Sequence, residues 1–144
     1  STRYINYSKG DGFTYITPKS IKKDEEVLPI WDGFMKDINR FISEMINTWK
    51  IPVEDATMLL PLAYTSKMVD KRNLRNLVDM SRQRMCTRAY WEYRELFNDI
   101  CNALREYSDE WAWIVDNLFH PKCEEYGYCN ETKSCGRKPR KEER

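Results

Sequence analysis

Eight cationic side chains crowd the 34 residues from Pro61 to Arg94: Lys67, Lys71, Arg72, Arg75, Arg82, Arg84, Arg88 and Arg94. Leu74, Leu77, Val78 and Met80 are threaded between them at helical spacing, which a solvated basic run would not need. Cations held against a packed core suit anion binding, because a guanidinium grips phosphate in a rigid planar fork. Asn73-Leu74-Arg75 stands where an extended segment turns into a helix. Unpaired backbone N–H groups at a helix start, with an Arg on the first turn, suit a phosphate or pyrophosphate. Arg84 follows nine residues after Arg75, near the junction of two helices. A fixed, partly shielded Arg there is suited to stabilise an anion developing on a substrate ring. The competing reading pairs these arginines with Asp70, Asp79, Glu92 and Glu95 as ordinary helix-surface charges. On residue chemistry alone the ion pairs have the edge.

Other chemistries find little support. The chain has one His, and no Gly-rich phosphate loop, G-x-S-x-G or H-E-x-x-H motif. A Ser or Cys nucleophile with a neighbouring base would have to use His120. After that His, Cys123, Cys129 and Cys135 follow with five residues between successive thiols. Three thiols and His120 are a weak Cys₃His zinc candidate, because the usual close C-x₂₋₄-C pair is missing. The reading adopted is no metal, with reduced thiols in a mobile tail.

A length of 144 residues with 41% hydrophobic and 33% charged side chains describes a single globular domain. A net charge of +1 argues against bulk electrostatic nucleic-acid binding. No window approaches the roughly 18 consecutive apolar residues of a membrane span. Five cysteines, with Cys86 and Cys101 inside helical patterns, do not form a secreted disulfide framework, so a cytoplasmic location is expected.

The elements that must position these residues are mostly helical. Residues 1–17 alternate apolar and polar around a turn-rich Ser8–Gly12, which predicts one or two β segments. Trp31, Phe34, Met35, Ile38, Phe41, Ile42, Met45 and Trp49 predict an amphipathic, core-facing helix over 29–49. A short helix over 53–60, an extended stretch over 62–70 and helices over 73–82, 86–107 and from Asp109 follow, the last capped by Ser108. The fold class expected is α+β, a mostly helical chain with a few β strands. Residues 1–120 are read as one domain and 121–144 as a cysteine-containing, partly disordered tail. The opening S-T-R-Y-I-N-Y carries no cap or turn signal, as if a strand were entered in its middle, so upstream sequence is expected.

L-P-L-A-Y-T, N-L-R-N-L and R-M-C-T-R-A-Y-W-E-Y-R together resemble the signature of the flavin-dependent thymidylate synthases. E-D-A-T-M-L-L-P is similar to that family's Glu-x-Ala-Arg-x-x-Leu-Pro, and S-T-R-Y to the Ser-x-Arg-Tyr that ends its Arg-His-Arg motif. The blocks keep order and spacing from Ser1 to Glu92. The resemblance implies the core of that family's fold and methylation of dUMP to dTMP. It further implies methylenetetrahydrofolate as carbon donor, FAD as hydride carrier, NADPH as reductant, and a homotetramer with shared active sites. It carries over a catalytic, uracil-polarising role to Arg84, dUMP contacts to Ser1, Thr2, Arg3, Thr57 and Arg84, and FAD contacts to Asn73, Leu74, Arg75 and Asp79. Neither a membrane nor nucleic acid is implied as a partner.

The sequence departs from the family pattern in places. The Arg-His-Arg run that would precede Ser1 is not among these 144 residues, Thr57 replaces a nucleotide-binding Arg, Asp79 a His or Asn, and Tyr90 a Gln. These 144 residues by themselves are therefore expected to be inactive. The alternative is a non-catalytic helical module that binds a nucleotide or RNA, with the cysteine tail as a metal knuckle.

Overall fold

Asp24 starts the first long helix. In the computed structural model, which describes residues 5–143, its carboxylate accepts the N–H groups of Glu26 and Val27, each at 3.1 Å. Two donors that the helix itself leaves unpaired are thereby satisfied. A four-residue turn, α1 (Lys19–Lys22), precedes this point, and α2 (Val27–Asn47) follows it for 21 residues. Pro29 is tolerated because it sits in the first turn, where its missing N–H costs nothing. Three residues beyond the helix, Lys50 has φ 56, a left-handed conformation, just before Ile51 and Pro52. Next come α3 (Val53–Ala56) and a 3-10 turn over Thr57–Leu59, closed by Pro61.

These elements belong to one compact unit, Ser1–Val69. Its core is Tyr7, Phe13, Met35 and Ile42, with Trp31, Ile38 and Met45 packed against them. The expected apolar stripe on α2 therefore divides. Phe34, Phe41 and Trp49 face away from the core, Phe34 at 64% exposure, and the Phe41 and Trp49 rings meet edge-on at 5.5 Å. Asn39, on the same helix, accepts the Phe13 N–H at 2.8 Å and donates to the Phe13 carbonyl at 3.2 Å. Gly12 has φ 80, and a Cβ there would collide with that Asn39 amide.

The few β strands expected of an α+β fold shrink, among the described residues, to isolated bridges. Tyr15 pairs antiparallel with Tyr64, and Cys129 pairs parallel with Arg140. Around the first bridge the ladder has only Ile16 N–H to Ala63 carbonyl at 2.9 Å and Thr65 N–H to Thr14 carbonyl at 2.8 Å. Pro18 and Pro61 flank it, and neither has an N–H to extend the pairing. The chain is mostly helical.

The second unit, Asp70–Arg144, has its own core. Here α4 (Leu74–Arg84), α5 (Trp91–Tyr107) and α6 (Asp109–Leu118) enclose Phe97, Cys101, Val115 and Phe119. Leu77, Val78 and Met80 of α4 pack on that core as their spacing predicts, whereas Leu74 is 38% exposed. α5 begins five residues later than its apolar period suggests. Cys86 to Ala89 form a turn instead, closed by the Ala89 N–H on the Cys86 carbonyl at 3.0 Å. Ser108 ends α5 and caps α6, its hydroxyl accepting the Trp111 N–H at 3.3 Å. Beyond Pro121, α7 (Lys122–Tyr126) stops at Gly127, whose φ of 73 suits a residue without Cβ. The Cys129 N–H donates to the Pro139 carbonyl at 2.8 Å, and Lys138 pairs with Glu124 at 2.8 Å.

Candidate functional site

The cationic stretch sorts its charges by where α4 puts them. Asn73 is the cap of that helix; its side-chain oxygen accepts the Asn76 N–H at 2.9 Å. Arg75 follows on the first turn, exposed, with no ion pair among the described residues. Leu74 lies between them, also exposed. The helix start thus presents backbone donors and one uncommitted guanidinium, the combination that suits a phosphate-bearing group.

Further along, the competing ion-pair reading holds for part of the set. Arg72 binds Asp70 at 2.6 Å. Arg82 bridges Asp79 and Glu125, each at 3.0 Å, so the Asp79 carboxylate is engaged by a cation of its own helix. Arg94 donates to the Thr87 carbonyl at 3.2 Å.

Arg84 is different. It is the last residue of α4, where a cation is favoured by the helix dipole. Its guanidinium carbon lies 4.4 Å from the centre of the Tyr93 ring, on the first turn of α5. Among the described residues no carboxylate pairs with it. An aromatic face fixes a guanidinium without neutralising it. Tyr93 is a contact that the spacing alone did not single out; the α4–α5 turn brings it beneath Arg84.

Arg84 opens into a cavity of about 240 Å³. One wall is the Cys86–Ala89 turn; the other is the C-terminal segment, through Cys123, Cys129, Lys133, Cys135 and Arg137. The weak zinc candidate does not assemble. The cysteines are free thiols, His120 does not line the cavity, and no group of three metal-ligating side chains stands together among the described residues. The thiols are not equivalent. The Thr87 hydroxyl, then the Arg137 N–H and guanidinium, lower the pKa of Cys135, whereas burial raises that of Cys101.

The remaining site candidates lie elsewhere. Thr57 belongs to the first unit, 7% exposed, and its hydroxyl donates to the Glu54 carbonyl at 3.0 Å. The hydroxyl proton is thereby committed to the helix backbone, and the oxygen keeps its lone pairs as acceptors. Ser1, Thr2 and Arg3 lie outside the described residues. Tyr90, at the position where a Gln was expected, stands before α5 with its ring 5.8 Å from that of Trp91.

Comparison with known proteins names the family of the chain. The chain is a member of the family described as thymidylate synthase complementing protein, which matches residues 1–108. It is similar to the flavin-dependent thymidylate synthase of Pyrococcus furiosus, 34% identical over 118 residues, covering 82% of this chain and 48% of the relative. It is likewise similar to the protein of that name from Nitratidesulfovibrio vulgaris, 32% identical over 151 residues, covering 96% of this chain and 58% of the relative. The chain therefore spans about half the length of the curated relatives it matches. No solved structure gives a significant match.

Proposed function

We propose that this chain works as part of a flavin-dependent thymidylate synthase that converts dUMP to dTMP. The carbon comes from methylenetetrahydrofolate, and NADPH supplies two electrons, so the products are dTMP, tetrahydrofolate and NADP⁺. The observation that carries this reading is Arg84, a guanidinium held over Tyr93 at 4.4 Å and facing a cavity rather than a carboxylate. Placed beside a uracil ring, such a cation stabilises the anion left when N3 loses its proton, lowering that pKa. Charge on the ring is then available to carbon 5, where the new bond forms. Family membership supports the assignment.

FAD, when bound, supplies hydride transfer. The exposed start of α4 fits a dinucleotide: Asn73 and Leu74 offer a helix N-terminus, and Arg75 an uncommitted cation for the pyrophosphate. Asp79, whose carboxylate pairs with Arg82, is a proposed FAD contact on the strength of its position in the family pattern. Ser1, Thr2, Arg3 and Thr57 are proposed dUMP contacts on the strength of their positions in the family pattern. Residues 1–120 would form the nucleotide- and flavin-binding part, 121–144 a tail with no metal, and strands of the family's core would complete an α+β fold. The enzyme would act in the cytoplasm as a homotetramer with shared active sites, free of nucleic acid and membrane. The outward Phe34, Phe41 and Trp49 suit such an assembly. No helix among the described residues is long and apolar enough to cross a membrane.

The test is flavin absorbance of the purified enzyme that contains this chain, together with release of tritium from [5-³H]dUMP. Bound flavin with NADPH- and folate-dependent release is expected; a colourless protein that binds no dUMP would overturn the reading.

A further inference from the structure

The family match ends at residue 108, yet a wall of the Arg84 cavity is built from residues beyond it. The charges around that cavity are lopsided. Arg82 and Lys138 are neutralised by Asp79, Glu125 and Glu124. Arg84, Arg88, Lys122, Lys133 and Arg137 have no ion pair among the described residues, and Glu131 is the carboxylate in the lining. These exposed cations give the concavity a positive field that Glu131 and the nearby Glu124 offset only in part, and guanidinium with ammonium groups suits a phosphoryl group best.

The segment is held in place by more than charge. The Cys129–Pro139 backbone bond and the Lys138–Glu124 pair close the segment on itself, and the Arg82–Glu125 pair at 3.0 Å ties it to α4, with Pro121 and Cys129 buried. That anchoring keeps Lys133 and Arg137 in the wall facing the Cys86–Ala89 turn.

We infer that the C-terminal segment is a ligand-binding wall of the Arg84 cavity, in which Lys133 and Arg137, with Arg88 opposite, hold the phosphoryl group of a nucleotide. The inference extends the proposed function, because it assigns phosphate binding beside Arg84 to residues beyond the 1–108 span that the family model matches.

The test uses the full chain and its K133Q/R137Q variant, with calorimetric binding of pyrophosphate, dUMP, deoxyuridine and NADPH. Pyrophosphate affinity of the unaltered protein should fall steeply with salt, because dissolved ions screen the attraction between exposed charges. The double variant should lose more than about tenfold in affinity for the phosphorylated ligand that uses the wall, the loss expected of two charge-assisted contacts. Deoxyuridine binding and flavin content should be unchanged. A loss confined to dUMP identifies the substrate's phosphate, and one confined to NADPH identifies the reductant's. A K133R/R137K variant, which keeps the charge, should restore binding and exposes any folding defect. Salt-independent pyrophosphate binding, or equal affinities in the unaltered protein and the double variant, would overturn the inference. A colourless protein that still loses pyrophosphate binding in the variant refutes the synthase reading and leaves the wall intact.

Discussion

Arg84 keeps its charge available because the group beneath it is an aromatic face. Replacing it with Ala should cut turnover of dUMP by at least about a hundredfold, the scale of losing one preorganised electrostatic contact, with flavin content retained. Tyr93→Leu should leave the guanidinium mobile and lower kcat, while Tyr93→Phe should retain activity, since the ring face and not the hydroxyl meets the cation. The thiols give a second check at this scale. Cys135, with its pKa lowered, should react with iodoacetamide first, and Cys101, buried with its pKa raised, last. Peptide mapping of a time course reads the order. Residue chemistry made Arg75 and Arg84 legible as anion-binding candidates, yet it left ion pairing as the stronger alternative. The alternative could not be resolved by spacing, because the partners of Arg82 include Glu125, 43 residues away.

Helices were the legible elements, since an apolar period reports which face is buried wherever one core does the burying. Ile42, fully buried on α2, illustrates it: Ile42→Ala should cost about 2–5 kcal/mol of stability, read as a drop in the denaturant midpoint. The same period misled where apolar residues face outward. Phe34 and Trp49 continue the stripe of α2 without reaching the core, and Leu74 opens α4 exposed. Cys86 to Ala89 fit the period of α5 but form a turn, closed by the Ala89 N–H on the Cys86 carbonyl. Caps fared better. Ser108→Ala should cost about 1 kcal/mol, the usual worth of an N-cap oxygen. Strands were the least legible, since a bridge such as Tyr15–Tyr64 depends on residues far apart in sequence.

At the scale of the whole chain, the two units carry separate cores, and the C-terminal segment adds a wall to the second. No apolar period marks that segment, so its path was not readable beforehand; an ion pair, a buried Pro121 and one backbone bond define it. Its anchoring is acid-sensitive. Lys138, donating to Glu124, lowers the pKa of that carboxyl below its ordinary 4.5. A depressed folded-state pKa stabilises above the unfolded value and is lost as pH falls through the folded one. Protection of the Cys129 amide, normalised to its intrinsic exchange rate, should therefore be flat from pH 6 to 8 and fall below about pH 4.5. Lys138→Ala should lose that acid dependence.

Ser108 is at once the residue after α5 and the residue before α6. A joint of one residue has no slack. Adding a single amino acid there would turn α6 by about 100° relative to α5, swinging Val115 away from Phe97 and Cys101. Changes of chain length within this family are thus expected to be purged at the α5–α6 joint and to accumulate in the Cys86–Ala89 turn and the C-terminal segment. Those are the two walls of the Arg84 cavity, so the natural freedom of the chain to lengthen or shorten is concentrated where it would retune what the cavity admits.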